Sequence, residues 1–230
     1  MIIHFVWEEL MKNLTTIVSV TAMFMLFIAS PINGVAQETG EVKCANLIYG
    51  NNKTSECFSS TFVADVNKKT NIQTSEKFSP VRVDSQELFE YPFAFMTGEG
   101  KFKLTKEQQD NLRNYLTHGG FLVASAGCSS KDWASSFRSQ IKSVFPELKM
   151  TKIDMQHPIF HSYYDIKDLE DARRSLEGLE IDGKIVLVFS SDGLNDSDNA
   201  ADPNCCCCGG NEIENARRVN ANLLIYSLTH

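Results

Sequence analysis

Two runs without a polar side chain, Phe93-Ala94-Phe95-Met96 and Phe121-Leu122-Val123-Ala124, bracket one amphipathic segment, and this triplet narrows the accessible folds more than any other stretch of the chain. A strand with one wet face alternates in polarity, whereas a strand that is apolar throughout has both faces covered. Between the two runs, Thr105-x-x-Gln108 is a capping box: the threonine hydroxyl accepts from the third helical amide and the glutamine reaches back. Leu112, Tyr115 and Leu116 then fall on one helical face. His118-Gly119-Gly120 closes the helix, since glycine takes the left-handed cap without a Cβ penalty. Strand, helix, strand in this order predicts a parallel pair with its helix packed on the sheet.

The same alternation extends outward. Val42 to Tyr49 reads as a first strand, and Ser55 to Lys69 as a helix with Phe58, Phe62, Val63 and Val66 inward. Val81 and Val83 mark a short second strand, and Ser85 to Glu90 a helical turn. Ser129-x-x-Asp132 is read as the cap of a helix carrying Trp133, Phe137, Ile141 and Val144, stopped at Pro146. Leu148 to Met155 reads as an edge strand, followed by a turn at His157 to Phe160. Asp182-Gly183 predicts a hairpin between Leu179–Ile181 and Lys184–Phe189. Ser190 to Gly210 is loop, and Asn211 to Leu228 the closing helix. The expected class is α/β, a three-layer α/β/α arrangement around a mostly parallel sheet.

The N-terminus predicts export. A basic start at Met11-Lys12-Asn13, an apolar run from Leu14 to Ala29 and small residues at Gly34-Val35-Ala36 form a secretory signal peptide over 1–36, leaving 37–230 as one domain. Glu8 and Glu9 precede the apolar run, which points to Met11 as the true start. The destination is periplasmic or extracellular in a bacterium, and the only membrane contact foreseen is an uncleaved signal segment. The net charge is -7 and no basic run occurs, which argues against nucleic acid as a partner.

The cysteines are unevenly placed: Cys205-Cys206-Cys207-Cys208 holds four of the seven, with Cys44, Cys57 and Cys128 elsewhere. In a parallel sheet the loops after strands gather at the carboxyl rim. Cys57, Cys128 and the run each follow a predicted strand, so they are expected on one rim, with Cys44 at the opposite end. Two chemistries follow. An exported protein favours disulfides, whereas a tetrahedral zinc site would use Cys205 and Cys208 as half of its ligands. Free thiols are the third outcome.

The string Tyr91 to Gly98, the segments Leu104 to Leu116 and Gly119 to Leu122, then Phe145-Pro146, His157 to Phe160 and Asn220-x-x-Leu223-x-x-Tyr226-x-Leu228 together resemble domain-of-unknown-function family 4159. The resemblance covers about Cys44 to Leu228. It implies a flavodoxin-like or class I glutamine amidotransferase-like fold and no particular activity. True class I amidotransferases place a nucleophilic cysteine in Gly-x-Cys-x-Gly at a strand-to-helix turn, with a late His-Pro-Glu. Here Gly127 precedes Cys128, but no glycine occurs two residues later, and His157-Pro158 is followed by Ile159 in mid-chain.

Three functions are therefore in play. The first is a non-catalytic module that binds a small ligand or an envelope protein through Gly98, Glu99, Ser129, Asp192 and Asn195 at the carboxyl rim. The second is a cysteine hydrolase or amidase with Cys128 as nucleophile, His157 as base and Asp154 or Asp165 as orienter. The third is a metal or thiol-redox module built on Cys57, Cys128 and Cys205 to Cys208. Asp192, Asn195, Asp196, Asp198 and Asp202 read as a polar loop whose spacing matches no calcium-binding hand. His161, Tyr163 and Tyr164 are candidates for a groove or for packing, and Arg217 and Arg218 for an anion contact or surface pairing.

Overall fold

A computed structural model describes residues 40–54, 58, 60–169, 174–195, 213 and 215–230. The predicted signal segment, Cys57 and Cys205 to Cys208 lie outside the described residues, as do Asp196, Asp198 and Asp202.

Seven strands form one sheet: β1 (Cys44–Ile48), β2 (Ser79–Arg82), β3 (Phe93–Gly98), β4 (Phe121–Ala126), β5 (Thr151–Lys152), β6 (Leu176–Ile181) and β7 (Lys184–Ser190), in the order β2-β1-β3-β4-β7-β6-β5. The pairs β2–β1, β1–β3, β3–β4 and β4–β7 are parallel. β6 runs against both β7 and β5. The mostly parallel α/β sheet expected from the alternation is thus present, with an antiparallel flank.

Among the described residues, four α-helices cover the sheet: α1 (Thr61–Lys69), α2 (Lys106–Thr117), α3 (Lys131–Val144) and α4 (Ala216–Thr229). The period of two along each strand divides the core. Phe93, Phe95, Phe121 and Val123 pack with Phe62, Val63 and Val66 of α1 and with Val219, Leu223 and Tyr226 of α4. Ala94, Met96, Leu122 and Ala124 pack with Leu112, Tyr115 and Leu116 of α2 and with Trp133, Phe137 and Ile141 of α3. This division explains why β3 and β4 carry no polar residue over their first four positions: each face has a helix layer on it.

Local signals match these elements closely in places. Thr105 and Gln108 form both halves of the capping box. Gly119 has φ +97 just past α2. Asp182 (φ 50) and Gly183 (φ 79) are both left-handed, the requirement of a two-residue type I′ hairpin. α3 ends at Val144, with Phe145 outside the helical region (φ -127, ψ 74) before Pro146.

Other boundaries differ from expectation. α1 begins at Thr61, after Ser60, so Phe58 reaches the core from the preceding loop rather than from a helix. α4 begins at Ala216 instead of Asn211. The edge strand shrinks to Thr151–Lys152 because only those two residues, both exposed, pair with β6. The N-cap of α3 is Ser130, whose hydroxyl accepts from Trp133 N, and not Ser129.

Under the carboxyl rim, β1, β3 and α3 meet at one buried phenol. The Tyr49 hydroxyl donates to the Thr97 carbonyl (2.8 Å) and accepts from Trp133 Nε1 (2.6 Å). Gly98 lies against this pair, and a Cβ built there would collide with Tyr49 Oη. Gly98→Ala is expected to destabilise the fold by about 1–3 kcal/mol through overpacking. Tyr49→Phe should cost about 1–3 kcal/mol by leaving the indole N–H and the carbonyl unsatisfied. In chemical denaturation the double variant should cost less than the two penalties together, because the clashing oxygen is gone; strict additivity would show that Tyr49 is not what excludes a side chain at 98.

Candidate functional site

Four loops leave the carboxyl ends of β1, β3, β4 and β7. They are joined by specific bonds rather than merely adjacent. After β1, Tyr49 N donates to Lys53 O (2.9 Å) and Lys53 N to Tyr49 O (2.8 Å), closing a turn in which Gly50 and Asn52 are left-handed. Gln108 in the first turn of α2 accepts from Gly50 N (3.1 Å). The Lys53 ammonium donates to Glu99 O (3.2 Å), tying this turn to the loop after β3. Gly100 N donates to Ser130 Oγ (3.1 Å), tying that loop to the turn after β4. Ser129 Oγ donates to Asp192 O (3.1 Å), tying the β4 turn to the loop after β7. Leu194 N donates to Ser125 Oγ (2.8 Å), and Asn220 Nδ2 to Leu194 O (2.8 Å), which fixes the last loop from below.

The turn between β4 and α3 is the strained part of this rim. Cys128 (φ 48) and Ser129 (φ 50) are consecutive left-handed residues, and neither is glycine. Each such residue costs on the order of 1–3 kcal/mol and persists only where its surroundings over-determine it. Here the surroundings are the Ser129–Asp192 bond on one side and the capped α3 on the other. Gly127 is packed tightly as well: a Cβ there would lie 3.0 Å from Gly98 O and 3.3 Å from Glu99 Cγ.

The residues expected to bind lie at this rim: Gly98 ends β3 and Glu99 follows it, Ser129 follows β4, and Asp192 and Asn195 follow β7. Cys128 is on the same rim and is not a free thiol. Cys44 begins β1 at the opposite, amino end, is fully buried and is free; burial pushes its thiol up to about 12. It is therefore inert at ordinary pH.

The catalytic set is not brought together. His157 lies against Tyr226 (ring centroids 5.6 Å), and Tyr226 in turn packs on Phe121, the first residue of β4 (6.1 Å). The Tyr226 hydroxyl accepts from Ile185 N, near the start of β7. This is the amino half of the sheet. From Phe121 to Ala126 the strand rises about 17 Å before Cys128 is reached, whereas a general base needs hydrogen-bond reach of about 3 Å. Asp154 serves its own turn, accepting from Gln156 N (2.8 Å) and His157 N (2.9 Å). Asp165 is the partner of His161 Nδ1 (2.7 Å).

The other candidates are tied into packing. Tyr163 and Tyr164 donate their amides to Asn222 Oδ1 (3.2 and 2.8 Å), a buried side chain of α4. Arg218 lies over the Tyr164 ring at 5.1 Å, and Lys69 bonds the Tyr164 hydroxyl (3.0 Å). Among the described residues, no group of three or more His, Cys, Asp or Glu is placed to hold a metal.

Among the described residues, two hollows are found at the rim. One, of about 620 Å³, is lined by Asn51, Lys53, Lys101, Phe102, Lys103, Leu104 and Thr105, between the β1 turn and the loop after β3. The other, of about 290 Å³, is lined by Ser129, Lys131, Ala134, Ser135, Arg138 and Ser191. The lysines of the first were missed in the sequence because they do not form a run. Their signal was the Lys-Phe-Lys triplet that follows Gly98-Glu99-Gly100 directly after a buried strand.

Two measurements test this geometry. Ser125→Ala removes the acceptor of Leu194 N and should cost about 1–3 kcal/mol in chemical denaturation, with loss of exchange protection at the Leu194 amide. The second concerns His157, whose pKa is lowered by partial burial, with Glu180 raising it and His230 lowering it. The neutral ring is favoured in the fold, so the unfolded chain takes up the proton first. Its contribution is whole above the ordinary value of 6.5 and is lost as pH falls below 6.5 through the folded pKa. His157→Asn should flatten the fall in melting temperature between pH 7 and 5; an unchanged slope would assign that fall to other groups.

The chain belongs to the family described as Domain of unknown function (DUF4159), whose model matches residues 43–228. A comparison with curated proteins returns no match.

Proposed function

We propose that this chain is an exported α/β domain that binds a small ligand or an envelope protein at the carboxyl rim of its sheet, as a recognition surface and not a centre of catalysis. The observation that carries this reading is the bonding of four separate loops into one platform around the strained Cys128–Ser129 turn. Strain held in place by neighbouring loops is characteristic of binding and switching sites. The order of the parallel strands, β2-β1-β3-β4-β7, supports a flavodoxin-like arrangement. In such sheets ligands occupy the crevice where successive helices leave for opposite faces. Here α1 and α2 do so on either side of β1 and β3.

Export is supported by the apolar run from Leu14 to Ala29 and the small residues before Gln37. In an oxidising compartment the engaged thiol of Cys128 is best read as half of a disulfide, with Cys57 or the run Cys205 to Cys208 as its source of partner. Such a bridge would add a few kcal/mol by closing a long loop. Zinc held by the same thiols is the rival reading. The distance of His157 from Cys128 weighs against the hydrolase.

Intact mass of envelope-purified protein, with and without reduction and under native conditions, separates these readings. A gain of hydrogens on reduction, mapped by proteolysis to Cys128, is the expected result; a native mass carrying zinc that is lost on denaturation would replace the bridge with a metal. For the rim itself, a fragment screen read by amide chemical shifts should move residues 49–54, 98–104, 127–131 or 191–195. Hits confined to the amino half around His157 would overturn the rim reading, as would an amidase activity abolished by Cys128→Ala.

A further inference from the structure

Resting on the rim reading above and narrowing it, we propose that the 620 Å³ groove between the β1 turn and the loop after β3 binds a small organic polyanion, a phosphate ester or a polycarboxylate, through Lys53, Lys101 and Lys103. Three ammonium groups line this groove and no carboxylate does. In a chain of net charge -7 the local sign is therefore reversed. Elsewhere Lys43, Lys69, Lys106 and Lys167 each pair with an acid, and the other described lysines do not; the groove is set apart by the gathering of three lysines on one hollow. Among the described residues Lys53, Lys101 and Lys103 pair with none. Lys53 is held at the rim by its bond to the Glu99 carbonyl (3.2 Å), which spends one of its three donors.

The groove is also held in shape. The Phe102 ring packs on Tyr49 (4.8 Å) and Trp133 (5.4 Å). Phe102 N donates to Ser136 Oγ (3.3 Å) and Leu104 N to Gln140 Oε1 (2.9 Å). The residues beside Lys101 and Lys103 are thus pinned to α3, while the two lysines themselves stay exposed. Preorganised walls with adaptable charged arms lower the ordering cost of binding. Asn51 and Thr105 add neutral hydrogen-bonding groups, and the start of α2 contributes positive potential. The volume falls in the range of small-molecule sites. One negative charge would leave two ammonium groups uncompensated, so the fit is to a ligand with several anionic oxygens.

The test uses the mature chain with pyrophosphate and, separately, citrate as probes, titrated by calorimetry and by amide chemical shifts at low and at physiological salt. The expected result is binding that moves Asn51, Lys53 and Phe102 to Thr105, weakens with salt, and falls by about 10- to 30-fold when Lys53, Lys101 and Lys103 are all changed to Gln. A response to one probe alone assigns phosphate or carboxylate and supports the proposal. No binding of either probe at millimolar concentration and low salt would overturn it, as would binding unchanged in the triple variant. Lys53 also ties the β1 turn to the loop after β3, so the Lys101→Gln/Lys103→Gln double variant, whose lysines are exposed, serves as the control: it should melt with the parent and still bind more weakly, which separates lost binding from lost folding. If instead the fragment screen finds ligands in the 290 Å³ hollow beside Ser129 and Ser191 while this groove stays silent, the polyanion assignment fails and the rim reading stands.

Discussion

The Tyr49 hydroxyl is the joint on which the carboxyl rim is assembled. It donates to the backbone of β3 and accepts from the indole of α3, so one oxygen fixes three elements. Burial, offset in part by the bond from Trp133, pushes its phenol up to about 12. It is therefore neutral at ordinary pH and can donate and accept at once. A phenolate could only accept, and the Thr97 carbonyl would lose its donor. Gly98 follows from the same joint: the chain passes so close to the hydroxyl that no side chain fits.

From this joint the rest of the rim inherits its order. With β3 and α3 locked together, the loop after β3 is short of freedom, and Gly100 reaches the cap residue Ser130. Ser130 then serves two amides, those of Gly100 and Trp133. That leaves Ser129 to turn outward, left-handed, toward Asp192. The division of labour between two adjacent serines explains the strain. A single serine could cap the helix or hold the β7 loop, but the geometry of a 3₁₀ turn does not let one side chain do both.

Much of this architecture was legible in the sequence, for reasons that can be named. The capping box, the Asp182-Gly183 turn and the fully apolar β3 and β4 are local statements, each enforced by one backbone requirement. The convergence of post-strand loops on one rim follows from parallel topology alone, and the bonds among residues 53, 99, 129 and 192 agree with it. What local reading missed depends on distance in space. Ser129-x-x-Asp132 reads as the cap in the sequence, but Ser129 bonds Asp192 across the rim and Ser130 caps the helix. His157 looked available to Cys128 because the sequence does not say that the chain turns back after β5 to pack on Tyr226. The lysine groove escaped notice because Lys53 stands about fifty residues before the Lys101-Phe102-Lys103 triplet and joins it only when β1 and β3 pair.

The distribution of titratable groups gives the rim its chemical character. His118 closes α2 just before β4 begins, His157 and His230 flank Tyr226, and His161 is held between Asp165 and Met155 O. None of these four lies on a loop that follows β1, β3, β4 or β7. Those loops carry Lys53, Glu99, Lys101, Lys103 and Asp192, with the buried Tyr49 phenol after β1 and Cys128 at the turn after β4. The rim proposed as a recognition surface thus combines lysines, backbone donors and one strained turn. The lysines of the proposed groove flank Phe102, whose ring packs on Tyr49, so the same joint that orders the rim also backs that groove.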